Sequence, residues 1–292
     1  GGYVDFEGIH HEGILFGGTG VAKGILASLP VAPFTVASPA LGLLLVFRTN
    51  TSYQRWVEAR SSWSRISTQG HNILRMAATF ASEIESPLNN EAYNDQIDHA
   101  KASLRDVSIR AYVFMRTLQQ HLRGPEEETM YIHDMEQSGL SDSDVNDLIY
   151  TATHRPTWAL QDLSASINKL PIDEKRRVEI DKSAVIMGDA MGTAENVFRS
   201  PVPLVYTRHT ARFLSLYLLL LPMALWDSFG TSWNHILLVP CSAIIALFLF
   251  GIEELAVQLE EPFSILPIEI FVTGMRDNGE QVQRWFARNM IV

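Results

Sequence analysis

The sequence predicts an all-α membrane protein, in which apolar helices cross a bilayer and a large helical domain lies in water. One observation is composition, since 47% of the 292 residues are hydrophobic and 19% are charged. This composition is too apolar for a typical water-soluble protein and too polar for a protein that lies in the membrane along its whole length. The other is periodicity, because apolar residues recur three and four positions apart between the apolar runs, while strand signals are weak.

Residues 1–28 are predicted to be a loop region. They are glycine-rich and begin at Gly1 and Gly2 without an initiator methionine, so we expect a first membrane helix and a targeting peptide to precede them. Residues 17–24 (GGTGVAKG) are similar to a phosphate-binding loop, but no Lys-Ser or Lys-Thr follows the glycines and no strand signal precedes them. A nucleotide site is therefore not expected.

Residues 29–47 are predicted to form a transmembrane helix. No ionisable side chain occurs from residue 31 to residue 47, and a helix of that length rises ~25 Å, close to the hydrocarbon thickness of a bilayer. Pro33 and Pro39 remove amide donors, so a helix facing lipid would leave carbonyl groups without partners. A helix that packs among others or lines a water-filled pore is favoured. A buried helix of a soluble core is the alternative.

Arginines follow this helix, whereas Lys23 is the only basic lysine or arginine before it. By the positive-inside tendency, the domain of residues 48–199 faces the cytoplasm or its topological equivalent. Arg48 and Arg55 share one helical face. Two interpretations stay open: this face lines an aqueous cavity that attracts anions, or the helix is an ordinary amphipathic one in which Arg55 pairs with Glu58.

Long helices are predicted within residues 48–199, because apolar positions form stripes at helical spacing. Pro87 is expected to end the first helix and Gly124-Pro125 the second, and Ser141 is expected to cap a later one. The stripes consist of Ile66, Ile73, Leu74, Ala77, Ala78, Phe80 and Ala81, and of Leu104, Val107, Ile109, Ala111, Phe114 and Leu118.

Residues 200–252 are predicted to be a transmembrane hairpin. Apolar runs occupy residues 211–226 and 235–252, and each is near the ~20 residues that a span needs. Trp226 and Trp233 lie where interfacial aromatic residues are expected. Residues 253–292 then form a membrane-proximal helical segment at the C-terminus.

Signatures of enzymes and of metal sites are poor. The chain lacks GxSxG, HExxH and CxxC, and the single Cys241 lies in an apolar run. The histidines are scattered without ligand spacing, so we expect no metal site. The net charge of −10 argues against a nucleic-acid partner. A carboxylate metal site is one interpretation of four glutamates, but a solvated helix end is favoured because no histidine follows at i+3; they are Glu253, Glu254, Glu260 and Glu261.

Three blocks of the sequence resemble the bestrophin family of anion channels. They are FRTNTSYQRWVEARSSW at residues 47–63, SPVPLVYTRHTARFLSLYLLLLP at residues 200–222 and GIEELAVQLEEPFSILPIE at residues 251–269. They keep the family's order, and the spacing between them accommodates its cytosolic helices. The wording of the blocks is most similar to members from plant and algal chloroplasts, a subgroup associated with thylakoid membranes.

The resemblance implies a homopentamer in a lipid bilayer, with a central anion pore and four membrane helices per subunit, the first of which would precede Gly1. It implies a passive channel for chloride, with bicarbonate and nitrate as further candidates, in the thylakoid membrane of the chloroplast. Another cellular membrane is the alternative location. The alternative functions are a non-conducting membrane scaffold or regulatory subunit and, with the least support, a membrane-embedded enzyme.

The resemblance also places the narrow parts of the pore. Aligning the family's pattern on Arg48, Tyr53 and Pro33 puts the neck at three positions of one helical face, with small side chains where animal members have bulky ones. Arg48 and Arg55 would mark the entry to the aqueous cavity. The neck positions are Ala32, Val36 and Ala40, and the candidates for a second constriction are Arg199, Ser200 and Val202.

A calcium site is not expected, although animal members of the family bind calcium with an acidic run near this point. After Pro262 and Phe263 this chain has SILPIE, so only Glu269 supplies a side-chain carboxylate, and Gln258 and Glu261 would offer backbone oxygens. Calcium prefers six to eight oxygen ligands with several carboxylates. We therefore expect a degenerate site, no cofactor, and chloride as the permeant ion.

Overall fold

The computed structural model describes residues 3–4, 10–11, 29–83, 90–229 and 236–290, and these are almost entirely helical. The all-α prediction is confirmed, apart from one short antiparallel pair of strands, Tyr3–Val4 and His10–His11. The chain divides into two compact units. Unit 1 comprises residues 1–55 and 201–260, and unit 2 comprises residues 56–200 and 261–292.

The α-helices are numbered in chain order. They are α1 (Ala32–Ala81), α2 (Asn90–Arg123), α3 (Glu128–Glu136), α4 (Asp142–Asn146), α5 (Arg155–Asn168), α6 (Glu174–Arg199), α7 (Leu204–Leu225), α8 (Leu238–Glu260), α9 (Pro262–Ile265) and α10 (Ile268–Met290). A π-helical turn, Asp147–Thr151, follows α4, and single 3₁₀ turns occupy Pro125–Glu127 and Asp227–Phe229.

Helix α1 is 50 residues long, so the predicted membrane segment and the arginine-rich segment are one continuous helix. It contains Pro39 within its length, and Pro33 lies in its first turn, where a missing amide donor costs nothing. The hydroxyl of Thr35 donates a hydrogen bond to the carbonyl oxygen of Ala32 at 2.8 Å. The helix runs through the boundary between the two units, which falls after Arg55.

Unit 1 has a small core between its helices. Leu41 and Leu45 of α1 and Leu214 of α7 are buried together, and Leu249 of α8 packs against them. The rings of Phe34 and Tyr217 lie 5.4 Å apart, near the start of α1. These contacts bury one face of α1, and the described residues of unit 1 leave the opposite face uncovered.

Large apolar side chains cover the outer faces of α7 and α8. Exposed apolar surfaces that extend over several residues mark contact with a membrane or a partner protein. Among the described residues, α1 and α8 are long and apolar enough to cross a bilayer; α7 carries Arg208 and Arg212 in its first half. The exposed residues include Val205, Leu216, Leu219, Val239, Ile244, Leu247, Phe248, Phe250 and Leu255.

Unit 2 is a helical domain built around α2. Helices α5 and α10 pack along α2, and α6 packs against α5. Trp63 of α1 is completely buried and lies 6.4 Å from the ring of Phe271. Buried arginines of α2 have carboxylate partners: Arg116 bonds Asp134 at 2.7 Å and Glu127 at 3.1 Å.

The local predictions for this domain are confirmed where the structure describes them. All members of the two predicted stripes are buried in the core of unit 2 or pack against it. Helix α2 ends at Arg123, and Gly124 takes a φ of 89° that favours glycine. Ser141 caps α4, because its hydroxyl oxygen accepts a hydrogen bond from the amide of Asp144 at 3.2 Å. Pro87 and the segment of residues 17–24 lie outside the described residues.

Candidate functional site

The most unusual surface of unit 1 is the uncovered face of α1. Ala32, Val36 and Ala40 are all exposed, and 78% of the Val36 side chain is accessible. At about 100° per residue they lie opposite Leu41 and Leu45, which form the buried face. Leu43 and Phe47, 54% and 55% exposed, extend the same stripe toward the middle of the helix. The predicted neck residues therefore share one apolar face that no described residue of unit 1 covers.

This face differs from the outer face of α8. Its first turns carry small side chains at Ala32 and Ala40, whereas α8 exposes Leu247 and Phe248. Pro39 lies beside the stripe and has no amide hydrogen, so it cannot satisfy the carbonyl of Thr35. A carbonyl without a helical partner is costly in hydrocarbon and acceptable beside water. The chemistry of this face suits an aqueous passage better than lipid.

Arg48 lies deep in unit 1, on the face of α1 that packs against its neighbours. Only 1% of its side chain is exposed, and it forms ion pairs with Glu253 and, at 3.2 Å, with Glu260 of α8. The two carboxylates are seven residues apart, so they lie on one face of α8, two turns from each other. Their side chains are 13% and 22% exposed, so the solvated helix end favoured from the sequence is wrong for these two.

The burial of Arg48 changes what its charge can do. A guanidinium held by two carboxylates presents little net positive charge to a passing anion. The side chain of Arg55, two turns farther along α1, is half-buried. The role of both residues at the pore entry stays a prediction. Arg48 also has a structural role, because its ion pairs connect α1 to α8.

The predicted second constriction lies where α6 ends. Arg199 is the last residue of that helix and has 59% of its side chain exposed. Ser200 is its C-cap, and its amide donates to the carbonyl oxygen of Asn196 at 3.0 Å. Val202 follows in the short non-helical connection to α7. The structure places these residues at the end of α6 and in the connection that follows it. Their role in conduction stays a prediction.

The carboxylate of Glu269 is already engaged within unit 2. It forms an ion pair with Arg123, and Arg123 also bonds Glu127 at 2.8 Å and the carbonyl oxygen of Leu266 at 3.3 Å. Partial burial pushes the pKa of Glu269 upward, but a backbone hydrogen bond and Arg123 outweigh it and hold that pKa below its ordinary value. A guanidinium therefore occupies the surroundings of the one carboxylate that the SILPIE segment offers.

Two histidines and a glutamate that no sequence pattern groups lie together at another place in unit 2. His121 of α2, His154 before α5 and Glu195 of α6 each offer a ligand atom, and these atoms lie within 4.8 Å of one another. The three residues are far apart in sequence, and a single sequence read alone carries no signal that groups them. The structure brings these side chains together, and the expectation of no metal site stays an untested prediction.

Apolar outer faces, a continuous 50-residue helix and an exposed apolar stripe on that helix define the class: an integral membrane protein with a helical aqueous domain. The family model for the bacterial and fungal bestrophin protein matches residues 14–281. The chain belongs to the bestrophin family.

Relatives in other organisms carry channel names. The chain is 30% identical to voltage-dependent chloride channel 2, chloroplastic, of Arabidopsis thaliana, over 92% of this chain and 60% of that protein. It is 31% identical to voltage-dependent chloride channel 1, chloroplastic, of the same plant, over 81% and 52%. A voltage-dependent anion channel-forming protein of Nostoc is 27% identical over 87% and 78%. The chain thus spans between half and two thirds of the length of its plant relatives. These relatives are named as channels and not as enzymes.

Solved structures share the fold. A variant of a bacterial bestrophin homologue from Klebsiella pneumoniae matches with a TM-score of 0.74 and 22% identity, covering 89% of this chain and 90% of that one. A second variant of the same homologue matches with a TM-score of 0.73 and 21% identity, covering 88% of each chain. The predicted bestrophin-like helical fold is confirmed.

Proposed function

We propose that this protein is a passive anion channel that conducts chloride through a central pore of five identical subunits. The observation that carries the proposal is the uncovered apolar stripe of α1, at Ala32, Val36 and Ala40. The names of the plant and cyanobacterial relatives support anion conduction. The chloroplast names of the plant relatives support residence in the thylakoid membrane, with bicarbonate and nitrate as further anions.

A ring of subunits gives the stripe a physical role. Five copies of α1 around an axis turn five small apolar faces toward one passage, so water and weakly held anions share it. Narrow apolar constrictions gate by dewetting, and small side chains lower that barrier. The neck of this channel is therefore wide or readily wetted. The missing amide of Pro39 is then compensated by pore water.

Selectivity for anions comes from dipoles and cations beside the path rather than from a tight site. Helix α1 begins at Ala32, so its positive end lies at the neck. Arg55 lies farther along the helix as the cation predicted for the pore entry, whereas Glu253 and Glu260 together outweigh the charge of Arg48. Weak attraction permits an anion to enter and to leave, as conduction requires.

Calcium does not gate this channel. A calcium ion near Glu269 would have to displace Arg123 and would find one carboxylate there, whereas calcium sites have several. Currents from purified protein in a planar bilayer are expected to be the same in micromolar calcium and in a chelator. Activation by micromolar calcium would contradict the proposal.

The decisive experiment is planar-bilayer recording of the purified full chain. A potassium chloride gradient is expected to give a reversal potential near the chloride equilibrium value, and replacement of chloride by nitrate or bicarbonate ranks the anions. The Val36→Phe, Ala40→Phe double variant puts ten large rings into the neck of a pentamer, so its conductance is expected to fall by at least about tenfold.

The matched control is Ile244→Phe, Leu247→Phe, which adds the same ring to the exposed outer face of α8. Its conductance is expected to stay near that of the unmodified chain. Equal currents in the neck variant and the control would remove the pore role of α1, and an absence of current from correctly assembled protein would favour a non-conducting scaffold. Native mass spectrometry in detergent tests the pentamer.

A further inference from the structure

We propose that His121, His154 and Glu195 form a binding site for a divalent transition-metal cation, with zinc as the probe ion. The site lies wholly within unit 2, where the end of α2, the start of α5 and the last turns of α6 converge. It goes beyond the proposed conduction of anions and does not depend on it.

The distances suit a metal. The Nε2 atom of His154 lies 3.2 Å from Oε1 of Glu195, close to the roughly 3.4 Å that separates two tetrahedral ligands about 2.1 Å from zinc. The rings of His121 and His154 meet edge to face with centroids 5.0 Å apart. All three ligand atoms lie within 4.8 Å of one another, so small side-chain rotations bring them onto one ion.

His121 supplies the strongest indication. Its Nε2 is inaccessible to solvent and has no hydrogen-bond partner in the part of the chain that the structure describes. A buried nitrogen without a partner is costly, and a bound cation would satisfy it. Burial lowers the pKa of His121, with His154 and two nearby arginines acting in the same direction against Glu195. A metal binds the neutral imidazole, which is the form that burial favours.

His154 has a partner ready for its second nitrogen. Its Nδ1 lies 2.7 Å from Oγ1 of Thr157 and 3.3 Å from the Thr157 amide nitrogen, which it caps. When Nε2 binds a metal, the ring proton moves to Nδ1 and is donated to the Thr157 hydroxyl. Metal-binding histidines commonly donate their other N–H to such an acceptor. Once protonated, Nδ1 no longer accepts the hydrogen bond from the Thr157 amide.

Arg199 opposes the cation. Its Nη2 lies 3.4 Å from Nε2 of His154 and 3.6 Å from Oε2 of Glu195. The side chain is 59% exposed at the end of α6, so it can move into solvent when a metal enters. Removal of this competing charge is therefore expected to tighten binding.

Two imidazoles and one carboxylate select among cations. Imidazole suits zinc and neighbouring transition metals, whereas calcium and magnesium prefer oxygen ligands throughout. Three protein ligands leave a position for water or an anion, as in zinc sites that are not closed. Calcium is therefore expected to compete poorly with zinc here.

The test is calorimetric titration of the purified, chelator-treated full chain with zinc chloride, in excess calcium. We expect one zinc ion per subunit, with affinity reduced by more than about tenfold in His121→Phe, which keeps the ring packing, and in Glu195→Gln, which keeps the shape. Thr157→Val is expected to weaken binding on the order of tenfold, and Arg199→Ala to strengthen it. Circular dichroism melts verify that each variant is folded.

The controls are His133→Ala, an exposed histidine of α3, and Cys241→Ser, the single thiol. Both are expected to bind zinc as the unmodified chain does. Equal zinc affinity in His121→Phe and His133→Ala would overturn the assignment, and so would an absence of saturable binding in the unmodified chain. Weakening by Glu195→Gln alone, with no effect of His121→Phe or Thr157→Val, would also overturn it.

Discussion

The ion pairs of Arg48 allow a quantitative prediction about unit 1. The Arg48 side chain is 1% exposed and lies between Glu253 and Glu260, which are 13% and 22% exposed. Arg48→Ala removes the cation and leaves two poorly solvated carboxylates near each other. Breaking a buried pair by removing one partner costs about 3–5 kcal/mol. We expect Arg48→Ala to lower the free energy of unfolding by an amount in that range.

The assay is equilibrium unfolding in mixed micelles of a mild detergent and sodium dodecyl sulfate, followed by tryptophan fluorescence. Arg65→Ala is the matched control, because Arg65 lies on the same helix with its side chain exposed. Substitutions on such surfaces usually change the free energy of unfolding by less than about 0.5 kcal/mol. A loss for Arg48→Ala no larger than that for Arg65→Ala would refute the fastening of α1 to α8.

A variant without charges separates lost packing from unpaired charge. In Arg48→Met, Glu253→Gln, Glu260→Gln the site keeps its volume and carries no formal charge. Replacement of a whole buried ion cluster by neutral groups is often nearly neutral for stability. We expect the triple variant to recover at least half of the loss seen in Arg48→Ala, measured in the same titration. A triple variant as unstable as Arg48→Ala would show that the unpaired carboxylates do not account for the loss.

Three further predictions concern unit 2. Trp63→Ala empties a completely buried position and is expected to cost about 3–5 kcal/mol in chemical unfolding, whereas Trp285→Ala, at a position 40% exposed, should cost less. Gly124→Ala places a side chain at a φ of 89° and is expected to cost on the order of 1–3 kcal/mol, seen as a lower melting temperature. The pKa of Glu269 is lower in the folded chain than its ordinary 4.5, so its stabilising pairing is complete above that value and is lost as the pH falls below it. Glu269→Gln is therefore expected to lower the melting temperature at pH 7 and to flatten its fall on the acid side; an unchanged acid profile would contradict the Arg123 pairing.

Local chemistry explains what could be predicted along the chain. The stripes of α1 and α2 follow the 3.6-residue period, so their burial was predictable without tertiary information. Gly124 ends α2 because a residue with positive φ is easiest to supply as glycine, and Ser141 caps α4 because its hydroxyl reaches the amide of Asp144. The apolar helices α1 and α8 followed from length and apolarity, and the three membrane crossings stay a prediction.

The pairing of distant charges was not predictable in the same way. Arg48 and Glu253 are separated by most of the chain, and an isolated charge run resembles a solvated surface. The seven-residue spacing of Glu253 and Glu260 was the one available signal, since it places both carboxylates on one face of a helix. It did not say which cation they meet.

The sequence by itself determined the all-α class, the apolar segments and the helical periods, since each depends on neighbours within two turns of the same helix. The resemblance to the bestrophin family, and not the spacing alone, singled out Ala32, Val36 and Ala40. Only the tertiary structure decided that no described residue of unit 1 covers their face, that Arg48 is buried against α8, and that His121 and His154 meet Glu195. Those facts depend on which helices pack together, and packing is a property of the whole chain that no local spacing encodes.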